Sequence, residues 1–245
     1  MRHYRVDRPD CLPLRAARAV SILVLSLPIC STAHAQWHTQ QRDIMGTRVS
    51  VELWHEEAAS AIECSEQVFA EMQRIEDLMS TYKDDSEISY INNNAATNPV
   101  AISAEMIHLV KRSLHFSEIS KGAFDITYAS VGYAYDYRKR QQPSDESISE
   151  KLPAIDYHHI MISGDNIQFG NDAVRIDLGG IAKGYAVDRA ADIIGQCGIA
   201  QAMVSAGGDS RIIGDRKGRP WICLLYTSDA ADEGVEVFVS GGGGG

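Results

Sequence analysis

The apolar and polar residues of this chain follow patterns typical of strands alternating with helices. Between residues 45 and 54 apolar side chains occupy every second position, as on a half-buried strand. From residue 56 to about residue 80 they recur every three or four positions, which predicts a long amphipathic helix. Ser103 is expected to cap a second helix, and Gly122 is expected to end it at the C′ position.

The second half of the chain consists mostly of short apolar stretches. Residues 140–154 are polar and contain two prolines, so they predict a connector or a short helix. Three short strands are expected next, separated by the turn sequences SGDN and GND, and the third covers residues 173–178. A helical pattern then runs to residue 195, and residues 201–209 predict a strand that ends on glycines. This order predicts an α+β fold with one β–α–β-like step.

Composition narrows the functional classes. With 245 residues, of which 44% are hydrophobic and 23% charged, the chain resembles a soluble globular protein with one large or two small domains. Its 33 acidic residues outnumber its 23 basic ones. We therefore do not expect the protein to bind a nucleic-acid backbone.

The first 35 residues have the layout of a secretory signal peptide. Residues 1–18 form a basic leader with five arginines, residues 19–29 form an apolar core that is short for a membrane span, and Ala33–Ala35 fit a small-x-small cleavage site. Export is therefore expected, with Gln36 as the first residue of the mature chain. Lipid attachment at Cys30 and retention of the leader as a membrane anchor are the alternatives.

Two cysteines of the mature chain, Cys64 and Cys197, fall on apolar helical patterns. Two buried free thiols are therefore the favoured expectation, and a disulfide between them is the alternative. No C-x-x-C pair and no cluster of cysteine and histidine in the sequence suggests a zinc site.

Residues 223–245 do not continue the pattern that precedes them. The stretch CLLYTSDAADE resembles the translation of a sequencing adapter, and five terminal glycines have no side chains to pack. We therefore expect the native domain to cover residues 36–222 and residues 223–245 to be a non-native tail. A genuine flexible tail is the alternative.

The stretch IDLGGIAKGYAVDRAADIIG, residues 176–195, combines glycines, an acid and a base at the start of a helix. Gly179 and Gly180 let the backbone approach a ligand, and the helix offers free N–H groups and the positive end of its dipole. Lys183 adds a positive charge that suits phosphate, and Asp177 can accept a hydrogen bond or lie beside magnesium. A nucleotide diphosphate with a metal is one interpretation. A turn whose glycines only permit the bend is the other.

Three further stretches offer ligand contacts. In KGAFDITY the ring of Phe124 can stack on a flat heterocycle and Asp125 can accept from its N–H groups; a core phenylalanine with a capping aspartate is the alternative. Gly46–Thr47 are consistent with a turn near a ligand. Gly207–Gly208 form either a second glycine edge of the same pocket or a β-turn.

Five stretches occur together, in order, over residues 45–222: MGTRVSVEL, IEDLMSTYKDDSEISYIN, GAFDITY, IDLGGIAKGYAVDRAA and VSAGGD. As a set they resemble the FAD:protein FMN transferase family, also called the ApbE family. The resemblance implies an α+β fold with a T-fold-like core, in which a mixed or antiparallel sheet with flanking helices holds FAD in a cleft. It also implies a fold that is incomplete at the C-terminus, because family members continue with a histidine-containing segment and an Asp/Thr pair that this chain lacks.

The resemblance implies a reaction as well. FMN passes from FAD to a threonine hydroxyl of a target protein through a phosphoester, AMP is released and magnesium assists. Typical targets are membrane redox-pump subunits, so the expected location is the periplasm, peripheral to the outer side of the inner membrane. An exported FAD-binding protein without transfer activity and an FAD pyrophosphatase are the alternatives.

The resemblance finally implies roles for individual residues. The FAD contacts, the residues that line the isoalloxazine or adenine part, the residues that hold the nucleotide portion and the carbonyl for magnesium are, in that order, Met45 and Tyr82; Ala123, Phe124 and Asp125; Asp177 and Lys183; and Gly180. No catalytic base is assigned, because the resemblance places it beyond the end of this chain. We therefore expect the activity to belong to a longer protein and the site of this chain to be incomplete.

Overall fold

Six α-helices and nine strands make up the part of the chain that the computed structural model describes, residues 36–135, 140, 142–224 and 236–239. The strands are β1 (Gln36–Ile44), β2 (Thr47–His55), β3 (Val100–Ala101), β4 (Ile160–Ser163), β5 (Asn166–Phe169), β6 (Ala202–Ala206), β7 (Asp209–Ile213), β8 (Trp221–Leu224) and β9 (Glu236–Val239). The helices are α1 (Ala58–Met79), α2 (Glu87–Asn94), α3 (Ala104–Ile119), α4 (Ala129–Gly132), α5 (Asp145–Lys151) and α6 (Ala182–Gln196). The predicted signal peptide, residues 1–35, lies outside the described residues, as does most of the predicted tail.

A four-stranded antiparallel sheet in the order β1–β2–β6–β7 forms one layer of the fold. β1 and β2 form a hairpin whose two turn residues, Met45 and Gly46, both have positive φ, 56° and 67°. Such a turn matches the twist of the strands that it joins. The strand predicted over residues 45–54 is confirmed as β2. Its partner β1 has no alternating apolar pattern to predict it, because most of its side chains are polar and at least partly exposed.

One face of this sheet packs against α1 and α6. Val49, Val51 and Leu53 of β2 are fully buried, as their alternation predicts. The predicted long helix is confirmed as α1, and its buried stripe consists of Ala61, Cys64, Ser65, Val68, Phe69, Met72, Ile75 and Met79. None of the helices in the described ranges has the length and the apolar run that a membrane crossing requires.

A second sheet, β3–β5–β4, contains two of the three strands predicted after residue 158. The third prediction, a strand over residues 173–178, is wrong. Ile176 in this segment bonds to the side chain of Asn92 and not to a neighbouring strand. The β–α–β-like step is wrong for the same reason, and β6 after α6 pairs antiparallel with β2 and β7.

The end of α3 differs by one residue from the prediction. Ser103 caps the helix as expected, and its hydroxyl oxygen accepts from the N–H of Met106. At the other end Lys121 occupies the C′ position with a φ of 53°, and Gly122 follows at C″. The N–H groups of Lys121 and Gly122 donate to Glu118 and Ser117, the bond pattern of a Schellman motif. This motif directs the chain into the segment around Phe124.

A disulfide joins Cys64 of α1 to Cys197, which directly follows α6. The favoured expectation of two free thiols is therefore wrong, and the alternative is confirmed. The two residues lie 133 positions apart in the sequence, but α1 and α6 pack antiparallel and bring their Cα atoms to 6.2 Å. That separation lies in the usual range for a disulfide.

Ion pairs connect α1, α3 and α6 at the surface. Arg74 of α1 donates to Glu71 and to both carboxylate oxygens of Glu105 on α3, each at 2.8 Å. Arg189 of α6 donates to Glu71 at 3.2 Å, and the hydroxyl of Tyr185 donates to Glu105 at 2.8 Å. Burial and the neighbouring Glu105 raise the pKa of Tyr185 to about 12. Hydrogen bonds from Arg74 hold the pKa values of Glu71 and Glu105 below their ordinary range.

We expect Arg74→Gln to lower the free energy of unfolding by about 1 kcal/mol at pH 7, because the network is partly exposed. Glu71 and Glu105 have lowered pKa values in the folded state, so their contribution is present above the ordinary value of 4.5 and is lost as the pH falls through the folded values. The difference between wild type and variant should therefore shrink below that pH. Urea unfolding at a series of pH values measures it, with exposed Lys111→Gln on α3 as the control. A difference that stays constant down to acid pH would contradict the assignment.

Candidate functional site

Two adjoining cavities open where α1 ends and α6 begins. The first, approximately 560 Å³, is lined by the turn after β1, the end of α1 and the start of α6. The second, approximately 370 Å³, is lined by the segment after α3 and by Gly180. Asp177 lines both. All eight predicted site residues line one cavity or the other: Met45, Tyr82, Asp177 and Lys183 the first, and Ala123, Phe124, Asp125, Asp177 and Gly180 the second.

Asp177 is held at the boundary of the two cavities by its neighbours. The backbone N–H of Gly179 donates to its Oδ1 at 2.6 Å, and the hydroxyl of Thr81 donates to its Oδ2 at 3.3 Å. The backbone N–H of Asp177 donates to the carbonyl of Ile126 at 3.0 Å. A carboxylate has about four lone-pair sites. The half-buried Asp177 is therefore fixed in orientation and still able to accept a hydrogen bond from a ligand.

Phe124 packs against Gly180 beside the second cavity. A Cβ atom on Gly180 would lie 3.1 Å from Cε2 of Phe124, closer than most van der Waals contacts. Phe116 touches the same ring edge to face, with the ring centroids 6.2 Å apart. The Phe124 ring is thus positioned by its neighbours, and the glycine allows its close approach.

Asp125 serves as a capping residue. Its Oδ1 accepts from the N–H and the hydroxyl of Thr127 at 2.8 and 2.6 Å, and its Oδ2 accepts from the N–H of Tyr157 at 2.9 Å. It thereby caps the 3₁₀ helix Ile126–Tyr128. The structure shows the capping role that the sequence offered as an alternative. Because three hydrogen bonds already engage the carboxylate, its contact with a flavin stays a prediction.

Lys183 lies in the first turn of α6, at a helix end that has no side-chain cap. The preceding residue Ala182 donates its N–H to Leu178 at 2.7 Å, which closes the turn after the glycines. Within the described ranges Lys183 has no ion-pair partner. A helix N-terminus with a neighbouring ammonium group attracts anions. This corner of the first cavity therefore suits a phosphate group.

The sequence that forms these two cavities matches a known protein family. A sequence model of the ApbE family matches residues 45–238, which is more than half of the chain. The chain belongs to the ApbE family. The matched range includes the turn at Met45–Gly46 and the turn at Gly179–Gly180, called the diglycine turn below. The predicted domain boundary at residue 222 lies inside it and stays a prediction.

Members of the ApbE family resemble the chain in sequence and in structure. A Vibrio cholerae protein named FAD:protein FMN transferase is 29% identical over 176 residues, which cover 70% of this chain and 53% of that protein. A solved structure of flavin transferase ApbE from Vibrio cholerae has a TM-score of 0.75 at 26% identity and covers 83% of this chain and 68% of its own. The ApbE protein of Thermotoga maritima gives a TM-score of 0.75 at 28% identity, with the same coverage. The predicted α+β fold is confirmed. The chain spans about half the length of the curated relatives it matches.

The residues that line the two cavities offer few ligands to a metal ion. Within the described ranges no three His, Cys, Asp or Glu side chains lie close enough together to hold one. Asp177 and Gly180 both line the second cavity. One carboxylate and one carbonyl suit Mg²⁺, which keeps several water ligands and binds substrate phosphates more often than an all-protein cage. The site therefore fits magnesium bound together with phosphate groups.

Three residues that were not among the predicted site residues support this ApbE site: Thr81, Asn92 and Tyr133. Thr81 bonds to Asp177, and the other two bond to the backbone just before it. Burial of its hydroxyl raises the pKa of Tyr133, and the charge of Asp177 adds to the rise. Asn92 shares the buried face of α2 with Ile88 and Ile91. The one signal in the sequence that could have pointed to Asn92 is a polar residue on the apolar face of a helix, one position after Ile91 and four after Ile88.

The glycines of the last predicted stretch form a turn. Gly207–Gly208 connect β6 to β7, as the β-turn alternative predicts, and they line neither of the two cavities. The N–H of Gly207 donates to the carbonyl of Arg48, and a Cβ at Gly207 would lie 3.1 Å from Oγ1 of Thr47. This turn therefore supports the neighbouring Met45–Gly46 turn and does not form a second edge of the pocket.

Proposed function

We propose that the protein is a flavin transferase that moves FMN from FAD to a threonine hydroxyl of a target protein and releases AMP. The observation that carries this proposal is the pair of adjoining cavities that share Asp177. FAD consists of two flat ring systems joined by a pyrophosphate, and two cavities that meet beside a helix N-terminus suit such a ligand. The names of the relatives, FAD:protein FMN transferase and flavin transferase, support the same activity.

Different residues at the junction of the two cavities suit different parts of FAD. The uncapped N–H groups of α6 and the ammonium of Lys183 suit the pyrophosphate. Phe124 offers a positioned ring to one ring system, and the exposed Tyr82 offers a ring to the other. Asp177 accepts a hydrogen bond from the nucleotide between them. In this arrangement the scissile pyrophosphate lies at the diglycine turn.

Transfer exchanges the phosphoanhydride linkage of FAD for a phosphoester linkage to the target. The bond between the FMN phosphorus and the oxygen that bridges to AMP breaks, a bond from that phosphorus to the acceptor oxygen forms, and the acceptor hydroxyl loses its proton. Lys183 neutralises the charge that develops on the phosphoryl oxygens. The carbonyl of Gly180 would hold a magnesium ion, which would supply further neutralisation of the pyrophosphate. We assign the proton acceptor to no residue of this chain.

We also propose that the protein acts outside the cytoplasm, at the outer side of the inner membrane, on a target such as a membrane redox-pump subunit. The signal-like leader supports export. The disulfide Cys64–Cys197 supports an oxidising compartment. N-terminal mass spectrometry of the exported protein checks the location, with Gln36 as the expected first residue. A chain that keeps Met1 and stays in the membrane fraction would indicate an anchor.

The transfer reaction is tested with FAD, magnesium and a threonine-bearing target protein. The 245-residue chain and the product of the genomic reading frame continued beyond codon 222 are assayed in parallel. Mass gain of FMN on a threonine of the target is the expected result for the continued product. Free FMN and AMP without labelled target would indicate a pyrophosphatase, and bound but unchanged FAD would indicate a flavin carrier.

Lys183→Met is expected to weaken FAD binding by about tenfold, because a charge-assisted contact with the pyrophosphate is lost. Titration by flavin fluorescence measures the dissociation constant. Lys83→Met is the comparison, since Lys83 lines the same cavity but is paired with Asp77 at 2.5 Å. Its loss should have a smaller effect. Equal losses in the two variants would show that general charge, and not the position of Lys183, decides binding.

A further inference from the structure

The chain just before Asp177 is buried without being part of a sheet. Ile176 and Leu178 are fully buried, so the polar backbone groups between them need partners. The side-chain amide of Asn92 supplies both partners for Ile176. The N–H of Ile176 donates to Oδ1 of Asn92 at 2.8 Å, and Nδ2 of Asn92 donates to the carbonyl of Ile176 at 2.9 Å.

Further contacts hold the same short segment. The hydroxyl of Tyr133 donates to the carbonyl of Ile176 at 3.0 Å. The N–H of Arg175 donates to Oγ of Ser130 at 3.0 Å, and the N–H of Asp177 donates to the carbonyl of Ile126 at 3.0 Å. The hydroxyl of Ser130 also donates to the carbonyl of Arg175, at 3.3 Å, so Ser130 serves both backbone groups of Arg175 as Asn92 serves both of Ile176. Asn92 serves the residue directly before Asp177, and its two bonds are the shorter pair, 2.8 and 2.9 Å.

The amide of asparagine is matched to this task. It carries a donor and an acceptor on one planar group, as the facing residue of a β-ladder would. An ionised aspartate could accept from Ile176 but could not donate to it. Alanine would leave the N–H of Ile176 without its partner and the carbonyl with the Tyr133 hydroxyl alone. Asn92 itself is 5% exposed, and Ile88 and Ile91 anchor the same face of α2 in the core. The two hydrogen bonds between Asn92 and Ile176, called the clamp below, are therefore made from a helix that is fixed in the core.

We infer that Asn92 is a positioning residue for the ligand site. It lines neither cavity, and it acts through Ile176 on the next residue, Asp177, and on the diglycine turn. With the clamp in place, the Asp177 carboxylate and the N-terminus of α6 are held in one arrangement before a ligand arrives. Preorganisation of this kind raises affinity because less ordering remains to occur on binding. The inference rests on the proposed function, since FAD is the ligand that the arrangement serves.

The test compares Asn92→Asp and Asn92→Ala with Ile91→Val, a conservative change at the neighbouring buried position of α2. FAD affinity of the full chain is measured by flavin fluorescence under conditions where circular dichroism shows each variant to be folded. We expect both Asn92 variants to bind FAD about tenfold more weakly and Ile91→Val to stay within about twofold of wild type. Unchanged FAD affinity in both folded Asn92 variants would overturn the inference.

Two further measurements keep the result decisive. Hydrogen exchange of the amides of Ile176 and Gly179 should be faster in Asn92→Ala than in Ile91→Val, and equal exchange would show that Asn92 does not fix the segment. This readout needs no flavin, so it separates a failure of the clamp from a failure of wild type to bind FAD, which would count against the proposed function. If neither Asn92 variant folds, Tyr133→Phe removes one donor to Ile176 and should weaken FAD binding about threefold; unaltered binding would overturn the inference.

Discussion

Alanine at position 177 is expected to weaken FAD binding by about tenfold to a hundredfold. The carboxylate of Asp177 lines both cavities and accepts the N–H of Gly179 at 2.6 Å. Its removal takes away a ligand contact and, in the same step, the bond that shapes the diglycine turn. Titration of the chain with FAD, in the presence and absence of magnesium, measures the loss.

Two companion variants define what the loss at Asp177 means. Asp177→Asn keeps the shape and an oxygen that can still accept from Gly179, so it should lose less affinity than alanine. Asp172→Ala removes an exposed acid from the same segment and should change little. Unaltered flavin affinity in Asp177→Ala would remove Asp177 from the site.

Removal of the disulfide should have the largest effect on stability. Replacing Cys64 and Cys197 together by alanine is expected to lower the free energy of unfolding by roughly 2–4 kcal/mol, because the bridge closes a loop of 133 residues in the unfolded chain. Urea unfolding monitored by circular dichroism measures the change. A reductant should shift wild type in the same direction and leave the double variant unmoved. A wild-type midpoint that does not respond to reductant would contradict a stabilising bridge.

The same variant should leave FAD affinity nearly unchanged where it is folded. At 1.5 Å per residue, the helices place the bridge roughly 20 Å from the cavities. Local geometry at Asp177 depends on Gly179, Thr81 and Ile126, none of which touches either cysteine. Titration of the double variant with FAD therefore separates an effect on the fold from an effect on the site.

The sequence predicts well those features whose cause lies within a few residues. The apolar spacing over α1, the cap at Ser103 and the glycine turn after Asp177 are local patterns, and each appears in the structure. The site residues were found as a group because five short stretches together resemble one family. Their convergence on two cavities that meet at Asp177 is a result of the fold.

Features that depend on distant partners could not be predicted in this way. Residues 173–178 have the apolar content of a strand. Their backbone partners are not a neighbouring strand but groups far away in the sequence, among them Asn92, 84 residues from Ile176. The bridge between Cys64 and Cys197 depends on the antiparallel packing of α1 and α6, which no local pattern encodes. Strand β1 is an edge strand with polar side chains, so pairing and not side-chain burial defines it.

Because Gly180 and Phe124 are in tight contact, the effect of a substitution at one position should depend on the residue at the other. A methyl group at position 180 needs the Phe124 ring to give way by a few tenths of an ångström, since its Cε2 would lie 3.1 Å from the new carbon. In a deep mutational scan, alanine at 180 should therefore be harmful beside phenylalanine and milder beside leucine at 124. The two positions should therefore be epistatic. Glycine at position 180 should be replaceable at low cost only after a smaller side chain has taken the place of phenylalanine at position 124.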